Sequence, residues 1–327
     1  MRTIGRWLGC ILLTLIIMGG LAWLLGPREP VGDVTFQAAV IGEDVDAYLA
    51  QIETGVPNLK PGQQKAVIWA GEPGATTEYA LVYIHGFSSS LQEIRPVPDL
   101  VAQDIGANLV YTRLKGHGQD SAAMAHATVE DWLNDTAEAL AIGRKIGDKV
   151  LVVSTSTGGT LVAAALHDPQ LAQGVLGSVF ISPNFKVTNP AAALLTWPFA
   201  RWWVPLVGGK TRSWNPANAQ QAEYWTTSYP TVATLPMAAI VEHVAGLDYA
   251  TLTIPALFLF SDQDTVVSHD ATRQMAENWG GPVVLSTVNL PAGSDPSNHV
   301  IAGDILSPEM TQPVRQMITD WFQTIPK

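Results

Sequence analysis

The sequence predicts an α/β fold: a doubly wound, mostly parallel sheet with an inserted helical cap and an N-terminal membrane helix. Three observations carry that expectation. From Lys65 onward, short apolar runs alternate with helix-like segments, the rhythm of a parallel sheet covered on both faces. One stretch, Asn184 to Thr253, breaks the rhythm between two core strands and holds Trp197, Trp202, Trp203, Trp214 and Trp225. An uncharged apolar run, Leu8 to Leu25, stands ahead of all of it.

The chain has 327 residues, 47% of them apolar, enough for one large α/β domain with an insertion. A net charge of −11 and the lack of a basic stripe argue against a nucleic-acid partner. The single cysteine, Cys10, lies inside the apolar run. It rules out an intrachain disulfide, a cysteine nucleophile and a cysteine-based zinc site.

Leu8 to Leu25 follows Arg2 and Arg6 and precedes Gly26-Pro27-Arg28-Glu29. At ~1.5 Å per residue it just spans a bilayer core, and Trp7 and Trp23 sit where interface anchors belong. Residues 1–28 read as a retained signal-anchor. A cleaved signal peptide stays open as the alternative, because Gly20-Leu21-Ala22 offers a small-x-small site. Positive charge on the short side places the rest of the chain on the extracytoplasmic, periplasmic side, or makes it secreted if the segment is removed. Residues 29–62 read as a tether packing on the core. Within it Glu43 to Glu53 forms an amphipathic helix with Val45, Tyr48, Leu49 and Ile52 inward.

The main domain occupies 63–327. Strands are expected at Lys65–Ala70, Tyr79–Ile84, Asn108–Thr112, Val150–Val153, Val175–Ser182, Ala256–Phe260 and Val283–Leu290. Helices are expected at Leu91–Ile105 (interrupted near Pro96 and Pro98), Val129–Ile146, Thr160–Leu166, His269–Trp279 and Met310–Phe322. The segment 184–253 reads as a cap whose tryptophans wall a ligand pocket.

Chemistry in such sheets gathers at the carboxyl ends of the strands. After Val150–Val153 comes Ser154-Thr155-Ser156-Thr157-Gly158, one substitution from the Gly-x-Ser-x-Gly nucleophile elbow. Alone, the pattern equally fits a plain strand–helix connection with Ser156 as N-cap. A serine nucleophile needs a histidine base, and the base needs an acid to orient it. Asp262 and Asp264 both follow the strand Ala256–Phe260, and Asp264, ahead of Thr265-Val266-Val267, is preferred. His299 lies in Ser297-Asn298-His299 after Val283–Leu290. Three strand-end residues in the order Ser156, Asp264, His299 outweigh the bland reading of each. The oxyanion needs two backbone N–H groups, for which Thr157 and Phe87 are the candidates. His85 reads as a structural residue bonding loop backbone, His117 as support for the pocket rim, and Glu93 as a solvated helix residue.

Together these residues resemble the α/β-hydrolase superfamily, and within it the monoglyceride lipase and lysophospholipase-like branch. The likeness rests on His85-Gly86-Phe87, Gly116-His117-Gly118, the 154–158 elbow, Ser261-Asp262-Gln263-Asp264-Thr265-Val266-Val267 and Ser297-Asn298-His299. It covers about 65–327. It implies the α/β-hydrolase fold, Ser156, Asp264 and His299 as triad, Phe87 and Thr157 as oxyanion donors, and neither cofactor nor metal. Ser154 stands where the family's elbow usually has Gly, and the cap carries no recognisable match. The expected activity is hydrolysis of small carboxylic esters, lipophilic acyl esters foremost, by a membrane-anchored enzyme. Amide or carbon–carbon bond hydrolysis, and a catalytically silent membrane-tethered binding protein, are the alternatives.

Overall fold

The computed structural model of the protein describes residues 2–327. An N-terminal helix, α1 (Arg2–Leu25), is followed by α2 (Val45–Thr54). The main domain then runs β1 (Ala66–Ile68), β2 (Thr77–Ile84), α3 (Val97–Ile105), β3 (Asn108–Tyr111), α4 (Val129–Ile146), β4 (Gly147–Thr155), α5 (Thr157–His167), α6 (Pro169–Ala172) and β5 (Val175–Ile181). The stretch that breaks the alternation holds α7 (Ala200–Val207), β6 (Thr211–Ser213), α8 (Ala219–Tyr224), β7 (Ser228–Pro230) and α9 (Thr234–Ala245). The chain closes with β8 (Ala256–Phe260), α10 (His269–Asn278), β9 (Val283–Thr287) and α11 (Thr311–Thr324).

Seven strands make one sheet in the order β1-β3-β2-β4-β5-β8-β9. Only the β1–β3 pair is antiparallel; the other neighbours are parallel. The central strands are continuous apolar runs because both their faces are covered. Side chains alternate faces with period two. Val82, Ile84, Val150 and Val152 therefore pack with Trp132 and Leu140 of α4 and Leu161 of α5. Leu81, Tyr83, Leu151 and Val153 pack on the other side with Val101 of α3 and Ile318 and Phe322 of α11. Each such side chain stabilises the fold by ~1.5–3 kcal/mol through burial.

Helix α4 spans the predicted residues because its ends are specified locally. Thr128 accepts the Asp131 N–H and Asp131 reaches back to the Thr128 N–H, a capping box. The helix expected from Leu91 begins only at Val97. Proline lacks an N–H and is disfavoured in a helix interior, but it fits a first turn, and Pro98 sits in that turn. Residues 91–96 form turns instead and fold Leu91, Glu93 and Ile94 inward.

Helix α2 packs on the core through buried Val45 and Leu49. Its Glu53 accepts Nε and Nη2 of Arg113 at 2.9 and 2.8 Å and the Lys65 N–H at 3.2 Å. Arg113 follows β3 and bonds the His117 carbonyl, so α2 braces a strand-end loop. The 184–253 stretch divides in two. Helix α9 joins the helical layer over the sheet, its Met237, Ile240 and Val244 packing in the same cluster as Leu161. Residues 188–230 lie over the strand ends and wall a cavity together with the loops after β2, β4 and β9.

Candidate active site

Strand β4 ends at Thr155 and α5 begins at Thr157, leaving Ser156 alone at the turn with φ 52° and ψ −122°. L-residues avoid that region, and a serine stays there only when its surroundings hold it. The Ser156 N–H donates to the Ile181 carbonyl at 3.0 Å, and its own carbonyl accepts from Gly159 and Asn184 at 2.9 Å each. Its side chain makes no N-cap bond, so the N-cap alternative does not describe this turn. A Cβ on residue 158 would strike the Ile84 carbonyl and lie 2.7 Å from that of His85; β2 and α5 approach too closely there for anything but glycine. Ser154, fully buried, fits its position and donates Oγ–H to the Val179 carbonyl at 3.1 Å.

His299 Nε2 stands 3.0 Å from Ser156 Oγ, and His299 Nδ1 stands 2.8 Å from Asp264 Oδ2. All three residues are buried. Asp264 is held by its second oxygen, which accepts the N–H groups of Val266 at 2.7 Å and Val267 at 3.0 Å. Asp262, the other acid of that loop, faces outward and bonds Arg273. With Nδ1–H donated to Asp264, Nε2 is free to accept the serine proton. Burial opposes charge on His299, but Asp264, aided by Glu93 and Asp295, outweighs it and holds the imidazole above its usual pKa.

Phe87 and Thr157 line the same cavity as Ser156. His85 and His117 brace the loops around them. The Leu114 N–H donates to His85 Nε2 at 3.1 Å, and Nδ1 faces the Gly86 carbonyl at 2.9 Å. The Ser88 N–H donates to His117 Nε2 at 2.9 Å. Burial pushes both imidazoles down, His117 to about 4, so both are neutral acceptors.

Glu93 corrects the sequence reading. It is not a solvated helix residue. It is 2% exposed, accepts the Gly86 N–H at 2.7 Å and the Tyr83 O–H at 3.0 Å, and borders the cavity. Burial raises its pKa. Asp295 was also missed. One of its oxygens accepts the His299 and Val300 N–H groups at 3.0 and 2.8 Å and the Ser297 O–H at 2.7 Å. Asp295 two residues before Ser297 was a readable Asx-turn signal, its other oxygen accepting the Ser297 N–H at 3.1 Å. Glu93 gave only a weak one, the two prolines that stop a helix from forming around it.

A cavity of about 680 Å³ rises over Ser156 and His299, within the range of small-molecule sites. Above the polar floor its walls are largely apolar, with Leu195, Trp203, Val204, Trp214, Trp225 and Met237 among them. Trp197 and Trp202 do not line it; both are exposed on the outer surface.

A model of the serine aminopeptidase S33 hydrolase family matches residues 75–284, a span that includes Ser156 and Asp264. The chain belongs to this hydrolase family. No curated protein sequence matches it. Among solved structures, it is similar to one described with LipS and LipT, two metagenome-derived lipolytic enzymes: 20% identity, TM-score 0.63, covering 81% of this chain and 99% of the other. A soluble variant of monoglyceride lipase from Saccharomyces cerevisiae superposes with TM-score 0.61 at 11% identity, covering 84% and 97%. The monoacylglycerol lipase of Paleococcus ferrophilus does so with TM-score 0.56 at 15% identity, covering 79% and 96%. At such identities the likeness shows the fold, the α/β-hydrolase fold. As a member of the hydrolase family, the chain carries its cavity where this fold places chemistry, at the carboxyl ends of the strands.

Proposed function

We propose that the protein is a membrane-anchored serine hydrolase of carboxylic esters with lipophilic acyl groups. The observation that carries the proposal is the hydrogen-bonded run Ser156–His299–Asp264 at the floor of an apolar cavity. His299 takes the Ser156 proton as Oγ attacks the acyl carbonyl, and Asp264 stabilises the imidazolium. The developing oxyanion is received by the Phe87 and Thr157 amides. His299 then protonates the leaving alcohol. Water, deprotonated by the same histidine, releases the acid from the acyl-enzyme. The raised pKa of His299 suits a base that must hold a proton through the first step.

The apolar walls support an acyl chain as the group they bury, with residues 184–253 acting as the cap and 29–62 as a tether to the core. Arg6–Leu25 has mean hydropathy 2.4 and none of it is buried, which supports an anchor. The basic N-terminal side supports an extracytoplasmic catalytic domain. The family's aminopeptidase description makes amide hydrolysis the second reading.

A series of p-nitrophenyl esters of increasing chain length, run beside an aminoacyl p-nitroanilide, tests the proposal. Medium or long esters should be cleaved fastest, and Ser156→Ala should abolish turnover. Faster anilide cleavage would transfer the assignment to amides, and folded wild type that cleaves no ester would overturn it.

A further inference from the structure

Where α1 leaves its apolar run, the chain is clamped to the start of α7. The Phe199 N–H donates to the Pro27 carbonyl at 2.7 Å. Arg28 Nη1 donates to the Thr196 carbonyl at 2.7 Å and Nη2 to that of Trp23 at 3.2 Å. Glu29 receives both Nε and Nη2 of Arg201. The Trp23 and Trp197 rings meet edge-on at 5.3 Å. At position 26 even a Cβ would collide with the Phe199 ring and lie 2.7 Å from Pro198 Cβ. The last turn of α1 and the cap segment are thus joined by backbone, ion-pair and ring contacts.

Beside this clamp lies an exposed apolar surface that the fold does not use. Leu194, Trp197, Phe199, Trp202, Leu206 and Val207 range from 37% to 80% exposed. A soluble surface seldom gathers so many large apolar groups in one place. Helix α7 explains the arrangement. Trp203, Val204 and Val207 border the cavity, while Trp202 and Leu206, four apart, share another face. Leu194 and Val207 belong to both sets, so the cavity mouth opens at the edge of the patch. Charge sorts the same way. In a chain of net charge −11, residues 169–222 contain no Asp or Glu but carry Lys186, Arg201, Lys210 and Arg212. Arg201 is paired with Glu29 of the clamp, but the segment adds no acid of its own, and an apolar face with an excess of basic residues is the composition of an interfacial surface.

We infer that α1 and the outer face of the 194–207 segment form one continuous bilayer-docking surface, and that the clamp at residues 26–29 holds the cavity mouth against the lipid. Substrate then enters from the bilayer rather than from water. The occupant is a lipid bilayer, because the patch is continuous with a helix long and apolar enough to cross one. The inference rests on the ester-hydrolase reading only for what enters the cavity.

Two readouts separate the inference from that reading. The full chain, with Cys10→Ser and Leu206→Cys, is labelled with an environment-sensitive fluorophore and reconstituted into phosphatidylcholine vesicles with and without phosphatidylglycerol. Docking predicts blue-shifted emission quenched by lipid-borne nitroxide, more strongly with the anionic lipid. Emission typical of water in vesicle-inserted protein overturns the inference whatever the enzyme does. In the second readout, Trp202→Glu with Leu206→Glu should reduce hydrolysis of a long-chain monoacylglycerol in those vesicles roughly tenfold, leaving a short water-soluble ester unchanged. Glu29→Ala, which removes the clamp's ion pair with Arg201 and leaves α1 untouched, should reproduce that split. Equal loss on both substrates contradicts docking. No turnover of either by wild type contradicts the hydrolase reading instead, and the fluorophore still reports on docking.

Discussion

The strand-end rim of the sheet and the outer face of the 194–207 segment are built on opposite terms. At the rim, the carboxylates that organise the site are buried and matched. Asp264 uses one oxygen on two amides and the other on His299; Asp295 gathers His299, Val300 and Ser297; Glu93 ties Gly86 to Tyr83. On the outer face, large apolar groups stand in the open. Buried polar groups must be satisfied or they cost stability, so these matched carboxylates fix the geometry around His299 and Gly86. Apolar groups left outside imply that another phase covers them. Under the proposals above, the contrast assigns reaction and delivery to two regions that meet at the mouth of one cavity.

The comparison breaks most sharply at Asp264. Asp264→Asn should lower kcat/KM on a soluble ester by roughly 10³–10⁴, because the amide neither fixes the His299 tautomer nor stabilises its charge. The pH profile adds a signed test. Protonated His299 cannot accept the serine proton, so wild-type activity should rise with pH through an inflection above the ordinary imidazole value of 6.5. Losing the Asp264 charge should move that inflection to lower pH.

The next effect is on stability. Arg113→Ala leaves Glu53 buried without its cation and should cost about 3–5 kcal/mol, read as a lower denaturation midpoint at unchanged m-value. Glu93→Gln should lower kcat roughly tenfold to a hundredfold, less than losing an oxyanion donor outright, with KM little changed. A pure KM effect would instead make Glu93 a substrate contact. Smallest of all, Trp214→Ala should reduce selectivity for long over short acyl chains by roughly threefold to tenfold, visible only in the chain-length series.

What could be read in the sequence follows the same division. The sheet was legible because buried parallel strands are short apolar runs, and Ala256–Phe260 and Val129–Ile146 end where expected. Ser156, Asp264 and His299 were legible as strand-end residues in a set order, and the structure brings their side chains within hydrogen-bonding distance. Glu93 was not, because Pro96 and Pro98 announce only that a helix is broken nearby, while its burial depends on distant partners such as Tyr83. The tryptophans of the 184–253 stretch were only half legible. Composition marked them as apolar, but which face the cavity depends on tertiary placement: Trp203 turns inward and Trp202 outward on α7, while Trp214 and Trp225 reach it from beyond that helix.

The most direct test of the account is the site of covalent modification by a fluorophosphonate, read by intact mass and peptide mapping of the folded full chain. The account predicts a single adduct on Ser156, absent in Ser156→Ala and much slowed in His299→Ala. Folded wild type that stays unmodified, or an adduct on another residue, would contradict it.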